Sequence, residues 1–285
     1  MQTVLVNGFF VGLVYGLVAV GLVVTYRCSR AVNFAYGETG MIGAFVFTEL
    51  WVDVGVSVWV ALAAGIGLSA AIGAATELAV IRPLRDQPRL AAMVGTLAVG
   101  SLLVTYAGRR YGVSPRFTFP LVTGDGYDVA GVHVMPQQLL ILVSTIVVVG
   151  GLAVLHRYTS FGLRLRASAL DPYAAGLVGV RTDAVSLVTW TLAGALAGFS
   201  AILIAPSSSM TVFFMGTLLL RSLAAAVIGG LTSIAGALTA GIGLGLLEAL
   251  IGYKSPTIGV TEVVLAVLVI GVLLVRPQGL VPSRY

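Results

Sequence analysis

The chain has 285 residues, of which 58% are hydrophobic and only 9% charged. Soluble domains carry about 25% charged residues, so this composition cannot build a water-facing surface and excludes a soluble enzyme or nucleic-acid-binding domain. The net charge of +5 comes from arginine, with Lys254 the sole lysine, and in a membrane protein such an excess marks cytoplasmic loops.

A membrane span needs ~20 mostly apolar residues. The first covers residues 3–25 and stops at Arg27 and Arg30. Its charges follow the apolar run, which favours a retained helix over a signal peptide. The second, 32–51, contains Asn33, Glu38 and Glu49; the third, 56–81, ends at Arg82-Pro83-Leu84-Arg85; the fourth covers 90–107. Residues 109–135, rich in Gly, Pro and Asp, read as an external loop with a small hairpin. The fifth span is 136–155, the sixth 184–205 and the last 256–275. Between the last two, residues 206–253 mix serine, proline and glycine with apolar runs. Such backbone is tolerated at membrane depth only where protein or a water-filled cavity surrounds it. The expected architecture is an all-α, single-domain transmembrane bundle over 1–285, with about eight spans plus one short or broken helix. The arginine loops then place the N-terminus outside and residues 157–181 in the cytoplasm, although Arg109, Arg110 and Arg116 fall on the outer side.

Ionisable residues inside apolar runs cost at least ~2.5–3.5 kcal/mol each on insertion scales. Glu49 and Glu77 stand beside Asp53 and Arg82, which places them at the membrane interface. Glu38 either lines a water-filled path or bonds a neighbouring helix end. Glu248 ends a small-residue face (Gly236, Ala240, Gly241, Gly245) and reads as an interhelical contact, and Arg221 pairs with one of the glutamates. The single Cys28 excludes an internal disulfide, and the two histidines fall on opposite predicted sides, so neither a metal site nor a catalytic constellation is expected. Gly229-Gly230-Leu231-Thr232 lacks the lysine of a phosphate loop. Between the fifth and sixth spans, Asp171 is placed to cap a short helix begun by Pro172. Leu170, Ala174, Leu177 and Val178 fall near one face of this segment, with Arg166 and Asp171 elsewhere. It is either an interfacial helix or a docking element for another protein.

These residues also carry a resemblance. Asn33-Phe34-Ala35-Tyr36-Gly37-Glu38, followed by Met41-Ile42-Gly43-Ala44-Phe45, resembles the early signature of permease subunits of branched-chain amino acid ABC importers. Phe161-Gly162-Leu163-Arg164-Leu165-Arg166-Ala167, with Asp171-Pro172, Ala175 and Gly179-Val180, is similar to that family's coupling-helix stretch. Ala226-Val227-Ile228-Gly229-Gly230, Glu248 and the closing Arg276-Pro277-Gln278-Gly279-Leu280 continue it. Tyr36 departs from the family's usual histidine, and Thr39-Gly40 replaces a bulkier apolar pair. The resemblance implies a cell-membrane permease, the shorter of a heterodimeric pair, importing branched-chain amino acids or a related urea, amide or carboxylate solute. Its partners would be a second permease, two cytoplasmic ATPases that hydrolyse the ATP, and an extracytoplasmic solute-binding protein. No cofactor is implied. Arg164, Arg166, Ala167, Asp171, Pro172, Ala175 and Gly179 would face the ATPase. Asn33, Gly37, Glu38, Gly229, Gly230 and Glu248 are the path residues. An ion-coupled secondary transporter, which also uses broken helices, is the rival class, but it has no need of the segment around Asp171.

The topology is directly measurable. Thr123→Cys should react with an impermeant thiol reagent in intact cells, and Ser168→Cys should not; the opposite pattern would invert the orientation.

Overall fold

Apolar length becomes helix throughout the computed structural model, which describes residues 1–129, 131–254, 259–276 and 279–281. In chain order these are α1 (Gln2–Ser29), α2 (Tyr36–Thr48) extended by a π turn (Glu49–Asp53), α3 (Val58–Thr76) extended by a second π turn (Glu77–Ile81) and α4 (Arg89–Tyr111). A two-strand antiparallel hairpin follows, β1 (Tyr127–Val129) and β2 (Val132–Val134), where the external loop was expected. Then come α5 (Pro136–Tyr158), α6 (Ser160–Leu170), α7 (Pro172–Leu177), α8 (Thr182–Ile204), α9 (Phe214–Gly229), α10 (Ile234–Lys254) and α11 (Val260–Val275).

Among the described residues, six helices are long and apolar enough to cross a membrane, namely α1, α3, α4, α5, α8 and α10 with their short extensions. The 36–53 segment, α11 and the 16-residue α9 are shorter, which reproduces the expected series of spans and one short helix. One start is shifted by a local turn. The second span begins at Tyr36 rather than at 32, because Asn33 Oδ1 accepts the Ala35 N–H at 3.0 Å and Thr96 Oγ1 accepts the Phe34 N–H at 3.2 Å. Those bonds satisfy the backbone in a turn, and an asparagine competes with helix in this way. The start expected for the last span, 256–258, lies outside the described residues; its helix runs from Val260.

The chain groups into two compact units. In the unit formed by residues 24–119 and 151–218, α2, α3 and α8 meet along small residues. A Cβ at Gly40 would lie 2.5 Å from the Ala197 carbonyl oxygen, and one at Gly43 would lie 2.8 Å from the Gly65 carbonyl and closer still to Ser69 Oγ. Ser69 uses the space that Gly43 and Gly198 leave and donates its hydroxyl to the Thr39 carbonyl at 3.1 Å. Trp190 is 1% exposed in the same core. At one end, Arg110 pairs with Glu49 and Arg116 with Asp53, while Phe45 and Tyr111 stack with centroids 4.7 Å apart. Two of the three arginines at odds with the loop count are therefore ion-paired.

In the unit formed by residues 1–23, 120–150 and 219–285, α1 packs on α10 through another glycine column. A Cβ at Gly12 would lie 2.7 Å from Ile242 Cα, and one at Gly8 would lie 2.6 Å from Ala249 Cβ. Gly16 meets the Leu238 carbonyl and faces Gly241. The break between α9 and α10 is a four-residue turn in which Gly230 takes φ +100°, and Ser233 Oγ caps α10 by accepting the Gly236 N–H at 3.0 Å. Gly229 and Gly236 touch backbone to backbone, with no room for a Cβ on either.

Helix association in lipid rests on such close approach. Gly43→Leu should therefore lower the melting temperature of the purified protein in detergent, on the scale of about 1–3 kcal/mol for overpacking. Gly67→Ala, where nothing lies within 4 Å, should leave it unchanged or raise it.

Candidate functional site

The segment after α5 is built by caps. Thr159 Oγ1 accepts the Gly162 N–H at 3.2 Å and starts α6. Asp171 ends α6 in an extended conformation and starts α7, accepting the Tyr173 and Ala174 N–H groups at 2.9 and 3.0 Å, with Pro172 in the first turn. This is the cap expected from the sequence. The helix closes at Gly179, whose φ of +83° suits a residue without a Cβ, and the Val180 N–H returns to the Ala175 carbonyl at 3.0 Å.

Six residues locked this way present an apolar surface to the outside. Tyr173, Leu177 and Val178 are 78%, 73% and 79% exposed, and Leu170 is exposed beside them. Ala175, expected at the contact surface, is 4% exposed and buried inward. Arg164, Asp171, Pro172 and Gly179 are exposed, whereas Arg166 and Ala167 are half-buried, with Arg166 Nε donating to its own helix at the Gly162 carbonyl. Tyr173, exposed in this segment, was not among the residues that the sequence singled out. Ser168 is buried, so Tyr173→Cys is the better inner-side labelling position than Ser168→Cys.

Asn33 is buried in the turn before α2, Gly37 is buried in the first turn, and Glu38 is half-buried. Glu38 Oε2 is itself buried and has no hydrogen-bond partner, and its carboxyl faces Gly100 of α4. An unsatisfied carboxylate oxygen in a bundle is costly, and Gly100 leaves open space beside it. Glu77 is fully buried within the protein, with Arg82 at 3.5 Å and Arg85 at 3.8 Å; Arg85 also pairs with Asp183 at the start of α8.

In the other unit, Glu248 forms part of a network. Tyr15 donates to Glu248 at 2.8 Å, Arg221 donates to Tyr15 at 2.9 Å and pairs with Glu248 at 2.9 Å, and Glu262 lies 3.6 Å from Arg221. Arg221 thus has two glutamate partners, which the sequence alone could not choose. Gly229 and Gly230 form the α9–α10 break. Among the described residues, no group of histidine, cysteine and carboxylates could hold a metal ion.

A polytopic bundle with a short capped helix exposed between long apolar helices has the build of a membrane transport permease. A family model described as "Branched-chain amino acid transport system / permease component" matches residues 4–275. The high-affinity branched-chain amino acid transport system permease protein LivH of Escherichia coli K12 is 30% identical over 291 residues, covering 96% of this chain and 93% of its own. BraD of Pseudomonas aeruginosa, described in the same words, is 30% identical over 292 residues, covering 97% and 94%. A solved structure described as an inward-facing metal-chelate type ABC transporter aligns with 96% of this chain and 84% of its own, at 18% identity and a TM-score of 0.49. The chain belongs to the branched-chain amino acid transport permease family. It is a permease subunit of an ABC importer, a multi-pass protein of the cell membrane. Such permeases work with ATPase subunits and a solute-binding protein.

The Arg221 network yields a graded expectation. Arg221→Gln leaves Glu248 without its cation and should lower detergent stability by about 1–3 kcal/mol, the range for hydrogen bonds to charged groups. Glu262→Gln, at a carboxylate 64% exposed, should cost less. Equal melting shifts for the two variants would contradict the assigned hierarchy.

Proposed function

We propose that this permease pairs with a second, related permease and carries branched-chain aliphatic amino acids or a chemically similar small solute inward by alternating access. Two cytoplasmic ATPases hydrolyse ATP and dock on α7, and an extracytoplasmic binding protein delivers the solute. The solute class rests on the printed descriptions of LivH and BraD. The mechanical part is carried by one observation: α7 is capped at both ends, anchored through Ala175, and turns Tyr173, Leu177 and Val178 outward. An apolar surface on a rigid, charge-flanked element marks a protein contact. An ion-coupled carrier would leave it without an occupant.

In this reading the path runs past Asn33, Gly37 and Glu38, where Glu38 offers a carboxylate to a passing ammonium group. Internal contacts stay weak, because the binding protein supplies selectivity. A carrier that held its solute tightly in one state would slow its release.

Leu177→Asp tests the docking surface. Leu177 is 73% exposed, so the variant should insert and melt like the parent. Solute-stimulated ATP hydrolysis by the reconstituted complex should fall to background. Stimulation at the parental level in a normally assembled complex would remove α7 from the coupling mechanism.

A further inference from the structure

A cavity of about 530 Å³ opens beside the α6–α7 junction, wholly within the unit that contains it. Its walls come from the end of α1 (Cys28, Arg30), the turn leading into α4 (Arg85, Arg89) and the end of α6 (Ser168, Ala169). Three arginines line it and no acidic residue does. Arg85 is already balanced, since Arg82 and Arg85 face Glu77 and Asp183. Arg30 and Arg89 have no carboxylate within ion-pair distance among the described residues.

Two further features point to a ligand. Arg30 takes φ +54°, and among the described residues it is the only non-glycine with a positive φ. That conformation costs a side-chain-bearing residue about 1–2 kcal/mol. The Arg30 guanidinium lines the cavity, where Nη2 donates to the Ala169 carbonyl at 3.0 Å. Ser168 is 9% exposed, lines the cavity, and its hydroxyl has no hydrogen-bond partner. A buried orphan hydroxyl costs about 1–3 kcal/mol until something pairs with it.

We propose that this cavity binds a phosphate- or carboxylate-bearing small molecule through Arg30, Arg89 and the Ser168 hydroxyl. Arginine presents a planar fork to an oxyanion, and hydrogen bonds between charged partners are about twice as strong as neutral ones. Ser168 donates to the same group. The volume is that of a small-molecule site, and it accommodates either a free anion or a lipid headgroup. Its occupant spans the ends of α1, α4 and α6 and braces the junction on which α7 is built. That consequence rests on the docking role proposed for α7; the binding does not.

The complex is reconstituted in phosphatidylcholine vesicles, and alkylation of Cys28, the only cysteine of this chain, is followed on its own peptide by mass spectrometry. Millimolar inorganic phosphate should slow alkylation several-fold. Phosphatidylglycerol should do so without phosphate if the occupant is a headgroup. Arg89→Gln and Ser168→Ala should abolish the protection, while Arg109→Gln, at the far end of α4, should retain it. Radiolabelled phosphate binding to the solubilised complex gives a second readout, in which Arg89→Gln should lose one phosphate per permease chain. Neither readout involves ATP hydrolysis, so both report on the cavity even if α7 docks nothing. Absence of protection by both anions together with unchanged phosphate binding in Arg89→Gln would overturn the site, as would protection that persists in Arg89→Gln.

Discussion

Lipid offers apolar side chains nothing that another helix does not also offer, and it offers backbone N–H and C=O groups no partner at all. Everything in this permease follows from that pair of facts. Helices hold together where their backbones come within contact distance, which only a column without Cβ atoms allows. Gly40, Gly43, Gly194 and Gly198 provide that column between α2, α3 and α8, and Gly8, Gly12, Gly16 and Gly241 between α1 and α10. Polar groups enter these seams where a glycine makes room for them. Ser69 fits between two glycines and gives its proton to the Thr39 carbonyl. The α9–α10 break is held because Gly229 and Gly236 close on each other while Ser233 takes up a freed N–H.

The spans were legible because a run of apolar residues of the right length has one physical outcome in a bilayer. The Asp171-Pro172 start of α7 was legible because a cap and a proline in the first turn are local features, and local features survive any tertiary arrangement. What depends on the neighbours of a helix was not legible. The neighbourhood of Glu77 to Arg82 could be read from the sequence, but not that the helix turns the carboxylate inward, where two arginines meet it. Ala174 and Ala175 are adjacent alanines, and only the packing of α7 decides that Ala175 is covered while Tyr173 points out. Arg221 had glutamates before and after it at comparable cost, and its choice was made by Tyr15, more than two hundred residues away in sequence. The Gly8-Gly12-Gly16 spacing was a missed signal: a four-residue repeat of glycine on one helix face announces close packing.

The charged groups divide by environment rather than by sequence. Glu49 and Asp53 pair with arginines where both partners are partly exposed, and such pairs contribute at most about 1 kcal/mol each. They align helix ends more than they stabilise them. Glu77 is different. A fully buried carboxylate loses its hydration, and the penalty of several kcal/mol is offset only while its cations stay in place. Removing Arg85 would therefore uncover a buried charge, not merely break a contact.

That arrangement gives the surface helix a stiff connection to the interior. After α7 the chain turns at Gly179 and enters α8 at Thr182, one residue before Asp183. Asp183 is paired with Arg85, and Arg85 with Glu77 in the π turn that closes α3. A rigid-body displacement of α7 can be absorbed in two ways: by parting Arg85 from Glu77, or by carrying α8 and the end of α3 along with it. The first leaves the buried charge with Arg82 as its one cation, while the second preserves every pair and moves α8 together with the end of α3, Ser69 staying seated against Gly198. The second route has the lower cost, so a force applied at α7 moves helices rather than breaking ion pairs.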